Sequence, residues 1–302
     1  MCGGSAVDTV ETKAPVVVGI DGSASSFAAV NWAAREARLH GCPIHLVAAL
    51  GAPTPYGDGI RLPPSYFADR DRAVHGHLDR AAAIARTVES ATPVTEITSE
   101  ILTGPARPAL IEESKSARMV VVGSRGLGQV TAALAGSVAV ALTAHAHCPV
   151  VVIREPAERV AGVGEVVVGI DGTENSRPAL AVGLEEASLR GVGLVAMHTW
   201  SPFTLSTVFD DQLDLPWDEV EVAEQAVLAE SLAGWAERYP QTPVARVVVR
   251  GNSAEQLRQR AADAVLLVVG THGRGGFAGM LIGSTSTVLL HSATCPLMIV
   301  RS

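Results

Sequence analysis

Residues Val120–Ser137 read VVVGSRGLGQVTAALAGS, and residues Leu267–Ser284 read LVVGTHGRGGFAGMLIGS. Eight of the eighteen aligned positions are identical. They comprise two valines, Gly123/Gly270, Gly126/Gly273, Gly128/Gly275, one leucine and the closing Gly136-Ser137/Gly283-Ser284. Neither stretch is G-x-x-x-x-G-K-[ST] or G-x-G-x-x-G, and neither contains a lysine. The question these glycines pose is whether they hold a nucleotide or only turn a corner.

The rest of the chain is doubled in the same way. APVVVGIDGSASSFAAVNWAAREA at Ala14–Ala37 returns as GEVVVGIDGTENSRPALAVGLEEA at Gly164–Ala187. HCPVVVIR at His147–Arg154 returns as TCPLMIVR at Thr294–Arg301. Three matched blocks in one order, at offsets between 150 and 147, describe a duplicated domain of ordinary size rather than a solenoid. The reading is a disordered tail over 1–14, a first domain over 15–154, a linker over 155–164 and a second domain over 165–302.

Within each copy, short β-branched runs alternate with helical patterns. Strands are expected near Val16–Ile20, Ile44–Leu50, Val94–Leu102, Met119–Gly123 and Val150–Arg154. Helices are expected over Ser25–His40, Asp71–Ser90, Ala106–Ser116 and Ser137–Ala146. In the first helix Phe27, Val30, Ala34 and Ala37 form one face of a 3.6-residue period. The second copy places strands near Val166–Ile170, Gly193–Thr199, Val244–Arg250, Val265–Gly270 and Leu297–Arg301. Apolar runs without alternation suit strands buried on both faces. The fold class is therefore α/β, with two doubly wound parallel-sheet domains.

Composition narrows the function. The chain has 302 residues, 48% hydrophobic and 18% charged, with a formal net charge of −8. That balance argues against a broad nucleic-acid surface, which needs a basic face. No apolar run has the length of a membrane span, and the first fourteen residues lack the features of a secretory signal. Four cysteines, none in C-x-x-C, do not make a disulfide framework. The expectation is a reduced, cytoplasmic protein without a membrane span or nucleic-acid partner.

In open α/β sheets ligands bind beyond the carboxyl ends of the strands. Asp21 and Asp171 stand there, each followed by a glycine, as helix caps or as acceptors for a nucleoside. Glycines after the fourth strand let backbone N–H groups approach an anion, and the helix opening at Ser137 or Ser284 attracts negative charge. Both copies keep G-x-x-G-x9-G-S, which favours the ligand reading over simple turn geometry.

These motifs, VVVGIDGS with its helix and G-x-x-G-x9-G-[ST], resemble the universal stress protein family, in particular its tandem two-domain actinobacterial type. The resemblance spans Ala14–Arg301. It implies Rossmann-like five-stranded sheets in order 3-2-1-4-5, with ATP in each domain. By position the first site comprises Gly19, Asp21, Gly123, Ser124, Arg125, Gly126, Leu127, Gly128, Gln129, Gly136, Ser137 and Val138. The second comprises Gly169, Asp171, Gly270, Thr271, His272, Gly273, Arg274, Gly275, Gly276, Gly283, Ser284 and Thr285. The resemblance also implies a nucleotide-dependent regulatory role in stress response or growth control, with an unidentified protein partner. It further implies pairing of the last strands between domains or subunits, which makes Val150–Ile153 and Leu297–Val300 candidate homodimer edges.

An enzyme is the weaker expectation. The Walker lysine and the kinase signatures are missing, although Arg125 and Arg274 are placed to neutralise phosphate and Asp21 or Asp171 to hold Mg²⁺ through water. Slow ATP hydrolysis as a timer, or binding of another adenine nucleotide, remain alternatives. No catalytic residue and no resident metal is assigned. HAHC at His145–Cys148 is not repeated in full and makes a poor zinc site. VHGHLDR at Val74–Arg80 reads as an exposed helix face. The segments 51–69 and 201–220, with Tyr66, Phe203 and Trp217, read as long loops that serve as lids, partner surfaces or simple packing.

Overall fold

The computed structural model describes residues 13–51, 63–88, 96–126, 135–154, 164–201, 217–274 and 281–301. Residues 1–12 of the expected tail and 155–163 of the expected linker lie outside these. In the first half β1 (Val16–Gly19), β2 (Ile44–Leu50), β3 (Ile97–Thr103), β4 (Met119–Gly123) and β5 (Val150–Ile153) alternate with helices. Those helices are α1 (Ala24–His40), α2 (Pro64–Thr87), α3 (Ala106–Glu113) and α4 (Ser137–His145). The second half supplies β6 (Val166–Ile170), β7 (Leu194–Trp200), β8 (Val244–Arg250), β9 (Leu266–Gly270) and β10 (Leu297–Val300). Its helices are α5 (Arg177–Arg190), α6 (Trp217–Ser231), α7 (Trp235–Arg238), α8 (Ser253–Arg260) and α9 (Ser284–Ser292).

All ten strands form one sheet in the order β3-β2-β1-β4-β5-β10-β9-β6-β7-β8. Each half thus has the order 3-2-1-4-5, and every pairing within a half is parallel. The halves join through β5 and β10, which run antiparallel with Val150 opposite Ile299 and Val152 opposite Leu297. This corrects the expected homodimer edge. β5 is already flanked by β4 and β10, and β10 by β9 and β5, so neither has a free ladder for a second chain.

Alternate side chains of each strand feed opposite faces of the sheet, as a pleated strand requires. Val16, Val18 and Ile20 pack with residues of α1, α2, α5 and α6 in one core layer. Val17, Val120 and Val122 pack in the other layer, with residues of α4, α8 and α9. The predicted stripe Phe27, Val30, Ala34 and Ala37 is buried in the first layer. Two expectations shift at their boundaries. α2 begins at Pro64 and α6 at Trp217, so residues 64–69 and 217–220 are helical rather than loop. Proline at the first helical position costs no hydrogen bond, which explains why α2 starts earlier than its polar sequence suggested.

Where α1 meets α5, four ionisable side chains are buried together. His40 Nε2 lies 3.1 Å from Glu36 and 3.0 Å from Glu186, and Arg190 bridges the same two carboxylates. Glu36 and Glu186 occupy matching positions in the two copies, as do His40 and Arg190. Burial and the charge of Glu186 push Glu36 up to about 7. Burial works against ionised Glu186 too, but the hydrogen bond from His40 and the charge of Arg190 outweigh it and hold it well down. For His40, burial is outweighed by the two carboxylates, which raise the imidazole to about 9.

A raised histidine stabilises the fold fully below its usual 6.5, and loses that contribution as pH rises through about 9. The denaturant midpoint of the protein is therefore expected to fall between pH 7 and pH 9, with His40→Gln flattening most of that slope. Equal slopes in the two proteins would refute this assignment. Removing one member outright, as in Glu186→Ala, is expected to cost about 3–5 kcal/mol, because it strands buried charge.

Candidate nucleotide-binding crevices

The order 3-2-1-4-5 reverses between β1 and β4, and again between β6 and β9, so a crevice opens beyond the carboxyl ends of each pair. The turn after β1 carries Asp21. Its Oδ1 accepts hydrogen bonds from Ser23 N at 2.9 Å and Ser23 Oγ at 2.6 Å. Ser23, not Asp21, is the N-cap of α1, with its Oγ accepting from Ser26 N. Asp171 repeats this with Thr173 N at 2.9 Å and Thr173 Oγ1 at 2.8 Å. Gly22 and Gly172 complete the turns at φ 85° and 79°, a region that glycine reaches without strain.

The loop after β4 comes back onto this carboxylate. A Cβ on Gly126 would stand 2.6 Å from Asp21 Oδ2, and one on Gly273 would stand 3.3 Å from Asp171 Oδ2. Gly123 lies against α1, where a Cβ would stand 2.7 Å from the backbone carbon of Ser25. Ser25 Oγ donates to the Arg125 carbonyl at 2.5 Å, a clamp on the loop that sequence reading did not single out. Gly136 N donates to the Ser124 carbonyl and Gly283 N to that of Thr271, both at 2.7 Å, so the opening of the next helix lies beside the loop.

Gly136 and Gly283 are the N-caps of α4 and α9, and neither helix start has a side-chain cap. Ser137 and Ser284 are exposed there, with Val138 and Thr285 half-buried behind them. Backbone amides and the helix dipole are thus turned toward the loop, the arrangement that attracts an anion. Arg125, His272 and Arg274 stand on the loops. Other expected residues have a different placement. Ser124 and Thr271 are buried. Gly19 and Gly169 make room for Leu110 on α3 and Leu257 on α8, beneath the sheet ends. Leu127, Gly128, Gln129, Gly275 and Gly276 lie outside the described residues, as does Phe203.

Some neighbours of the crevices escaped the sequence reading. His77 on α2, expected on an exposed face, lies over Gly22, whose added Cβ would stand 2.3 Å from its ring. Val227 on α6 holds the matching place over Gly172. The Ala135 N–H, at the end of the first loop, donates to His291 Nδ1 of α9 at 2.8 Å. The other singled-out groups stand elsewhere. Trp217 stacks on Trp200 with Arg250 over its ring, and Tyr66 meets Phe67 edge-on. Burial raises Cys148 and Cys295 to about 12, keeping them as thiols rather than metal-binding thiolates. Among the described residues, the one group of three metal-ligating side chains is Glu36, His40 and Glu186, where Arg190 already neutralises the acids. No described helix is long and apolar enough to cross a membrane.

A family model for universal stress proteins matches residues 14–154 and 163–301. The chain belongs to the universal stress protein family. A universal stress protein of Mycobacterium tuberculosis strain H37Rv is 39% identical over 289 residues, spanning 95% of this chain and 96% of its relative. One from Mycolicibacterium smegmatis is 40% identical over 299 residues, spanning 96% and 98%. The crystal structure of a universal stress protein from Archaeoglobus fulgidus superposes with a TM-score of 0.66 at 17% identity, covering 95% of this chain and 98% of that one. That likeness confirms the fold.

In this universal stress protein the two loops are packed to different tightness. Gly123→Ala is expected to destabilise by about 1–3 kcal/mol through overpacking against the α1 backbone. Gly270→Ala is expected to cost less, since its nearest neighbour, the Asn175 carbonyl, lies 3.3 Å from the added Cβ. Urea denaturation of the two variants checks the order.

Proposed function

We propose that this universal stress protein holds ATP at the carboxyl end of the sheet in each half. In this reading it acts as a nucleotide-dependent regulatory module in stress response or growth control. The observation that carries the reading is the meeting of Asp21 with Gly126 across the switch between β1 and β4, repeated by Asp171 and Gly273. Asp21 commits Oδ1 to its own turn and keeps Oδ2 for a nucleoside, whereas Asp171 Oδ2 also accepts from Thr173 Oγ1 at 3.0 Å and offers a nucleoside its remaining lone pair. The uncapped amides at Gly136-Ser137 and Gly283-Ser284 and the glycine loops then take the phosphates.

Mg²⁺ fits such a site with few protein ligands, because it is commonly bound by one carboxylate together with the nucleotide's phosphates. Asp21 and Asp171 are the acids that would serve. The design favours holding over turnover. Backbone donors and one fixed carboxylate bind and orient, whereas rapid phosphoryl transfer also needs a positioned nucleophile. The two units proposed to do this are residues 15–154 and 165–302.

Mass analysis of small molecules released from the freshly purified full chain tests the proposal. One ATP per half is expected. Gly126→Ala is expected to abolish uptake in the first crevice, because its methyl would press on the Asp21 carboxylate at 2.6 Å. Gly273→Ala, with 3.3 Å available, is expected to weaken the second site without abolishing it. A protein that releases no nucleotide, and gives no heat on titration with millimolar ATP, would sink the reading.

A further inference from the structure

The second crevice carries a polar chain that the first one lacks. His198, fully buried near the end of β7, has its Nδ1 2.7 Å from the Ile170 carbonyl and its Nε2 2.7 Å from Glu224 Oε2. Glu224, on α6, accepts in turn from Arg274 Nη1 at 3.0 and 3.3 Å. Arg274 follows Gly273 in the loop, and its guanidinium lies over the turn after β6. A Cβ on Gly172 would stand 2.9 Å from Arg274 Nη2. The chain therefore runs from the carboxyl ends of β6 and β7 to a cation over Gly172, the residue after Asp171.

None of these three positions is polar in the first half. β2 and β7 align at an offset of 150, which sets Ala48 opposite His198. His77 and Val227 cover equivalent glycines at the same offset, which sets Val74 opposite Glu224. The loop offset of 147 sets Leu127 opposite Arg274. Three apolar residues in one copy and three mutually bonded polar ones in the other form a single correlated difference. Burial opposes ionised Glu224, but hydrogen bonds from His198 and Arg274 outweigh it and hold its carboxyl below the usual range.

We propose that Glu224 is an internal competitor for Arg274 in the second crevice, so that a nucleotide enters there only as its phosphate takes the guanidinium from this carboxylate. The inference rests on the nucleotide reading above. His198 is a positioning residue: it anchors the competing carboxylate and does not meet the ligand. In the first half Ala48, Val74 and Leu127 hold the positions of these three residues, so the two sites differ in affinity for the same nucleotide.

The test is calorimetric titration of the full chain with ATP, in a Gly126→Ala background that silences the first site. Glu224→Gln keeps a hydrogen bond to His198 and is expected to tighten the second site about tenfold. The pair His198→Ala/Glu224→Val, which copies Ala48 and Val74, is expected to give a similar gain with conserved packing. With Arg274→Ala added, neither change is expected to give any gain. Unchanged or weaker binding in Glu224→Gln overturns the proposal. So does a gain that persists without Arg274, which would mean simple charge repulsion. If the unmodified chain takes up no ATP, the nucleotide reading fails and the competitor role falls with it. If it binds ATP normally and Glu224→Gln leaves the second site unmoved, only the competitor role fails.

Discussion

The antiparallel seam between β5 and β10 is the constraint from which most of this architecture follows. Four-residue strands with every side chain buried cannot stand at a sheet edge without exposing both apolar surface and unpaired backbone. Each solves the problem for the other, and ten strands become one sheet. Because the seam is antiparallel while each half is parallel inside, the strands of the two halves point in opposite directions. The two candidate crevices consequently open at opposite ends of the sheet. α9 begins at the second crevice with Ser284 and carries in its last turn His291, which meets Ala135 of the first. One short helix thus touches both sites, a mechanical link that two separate domains would not have.

The seam also brings α1 against α5 and creates the need for the quartet Glu36, His40, Glu186 and Arg190. Two carboxylates so close together would not be tolerated in a dry interface on their own. When both are ionised, a guanidinium and a protonated imidazole balance them to zero net charge. An apolar patch of the same volume would often hold as well. What the ions add is position: each carboxylate accepts from both cations, one on its own helix and one from the partner helix. That geometry is met in one register of the two halves, and sliding either helix would leave a buried charge unpaired.

Much of this was legible in the chain because it was written twice. Strand positions, the α1 stripe and the glycines at the strand ends all follow from local periodicity and from spacing kept between copies. The features that were not legible depend on long-range partners. Whether Val150–Ile153 pairs within the chain or between chains is not encoded in a run of four β-branched residues. Glu36 and His40 look, on α1 alone, like an ordinary i,i+4 pair on an exposed face; only α5 buries them. Asp21 looked equally suited to capping or to a ligand. In the fold Ser23 supplies the cap through its hydroxyl, and one carboxylate oxygen of Asp21 faces Gly126. His77 and His198 gave no signal because their importance lies in what they cover or anchor, not in a spacing.

Duplication also explains how the two crevices came to differ without losing their frame. Positions fixed in both copies are those where a side chain would break the backbone path. Gly22 and Gly172 have positive φ, Gly126 and Gly273 meet a carboxylate, and Gly136 and Gly283 leave a helix start open. Such positions cannot drift in either copy while the path is kept. Other residues of the loops and of the covering helices are free of that restriction, and there the copies part: Arg125 against His272, His77 against Val227, Val74 against Glu224. A backbone cradle needs only its glycines and one acid, so one half can keep an open cradle while the other acquires a charged bar across it. On the proposed reading the same sheet then offers one ligand chemistry under two sets of electrostatic terms, at its opposite ends.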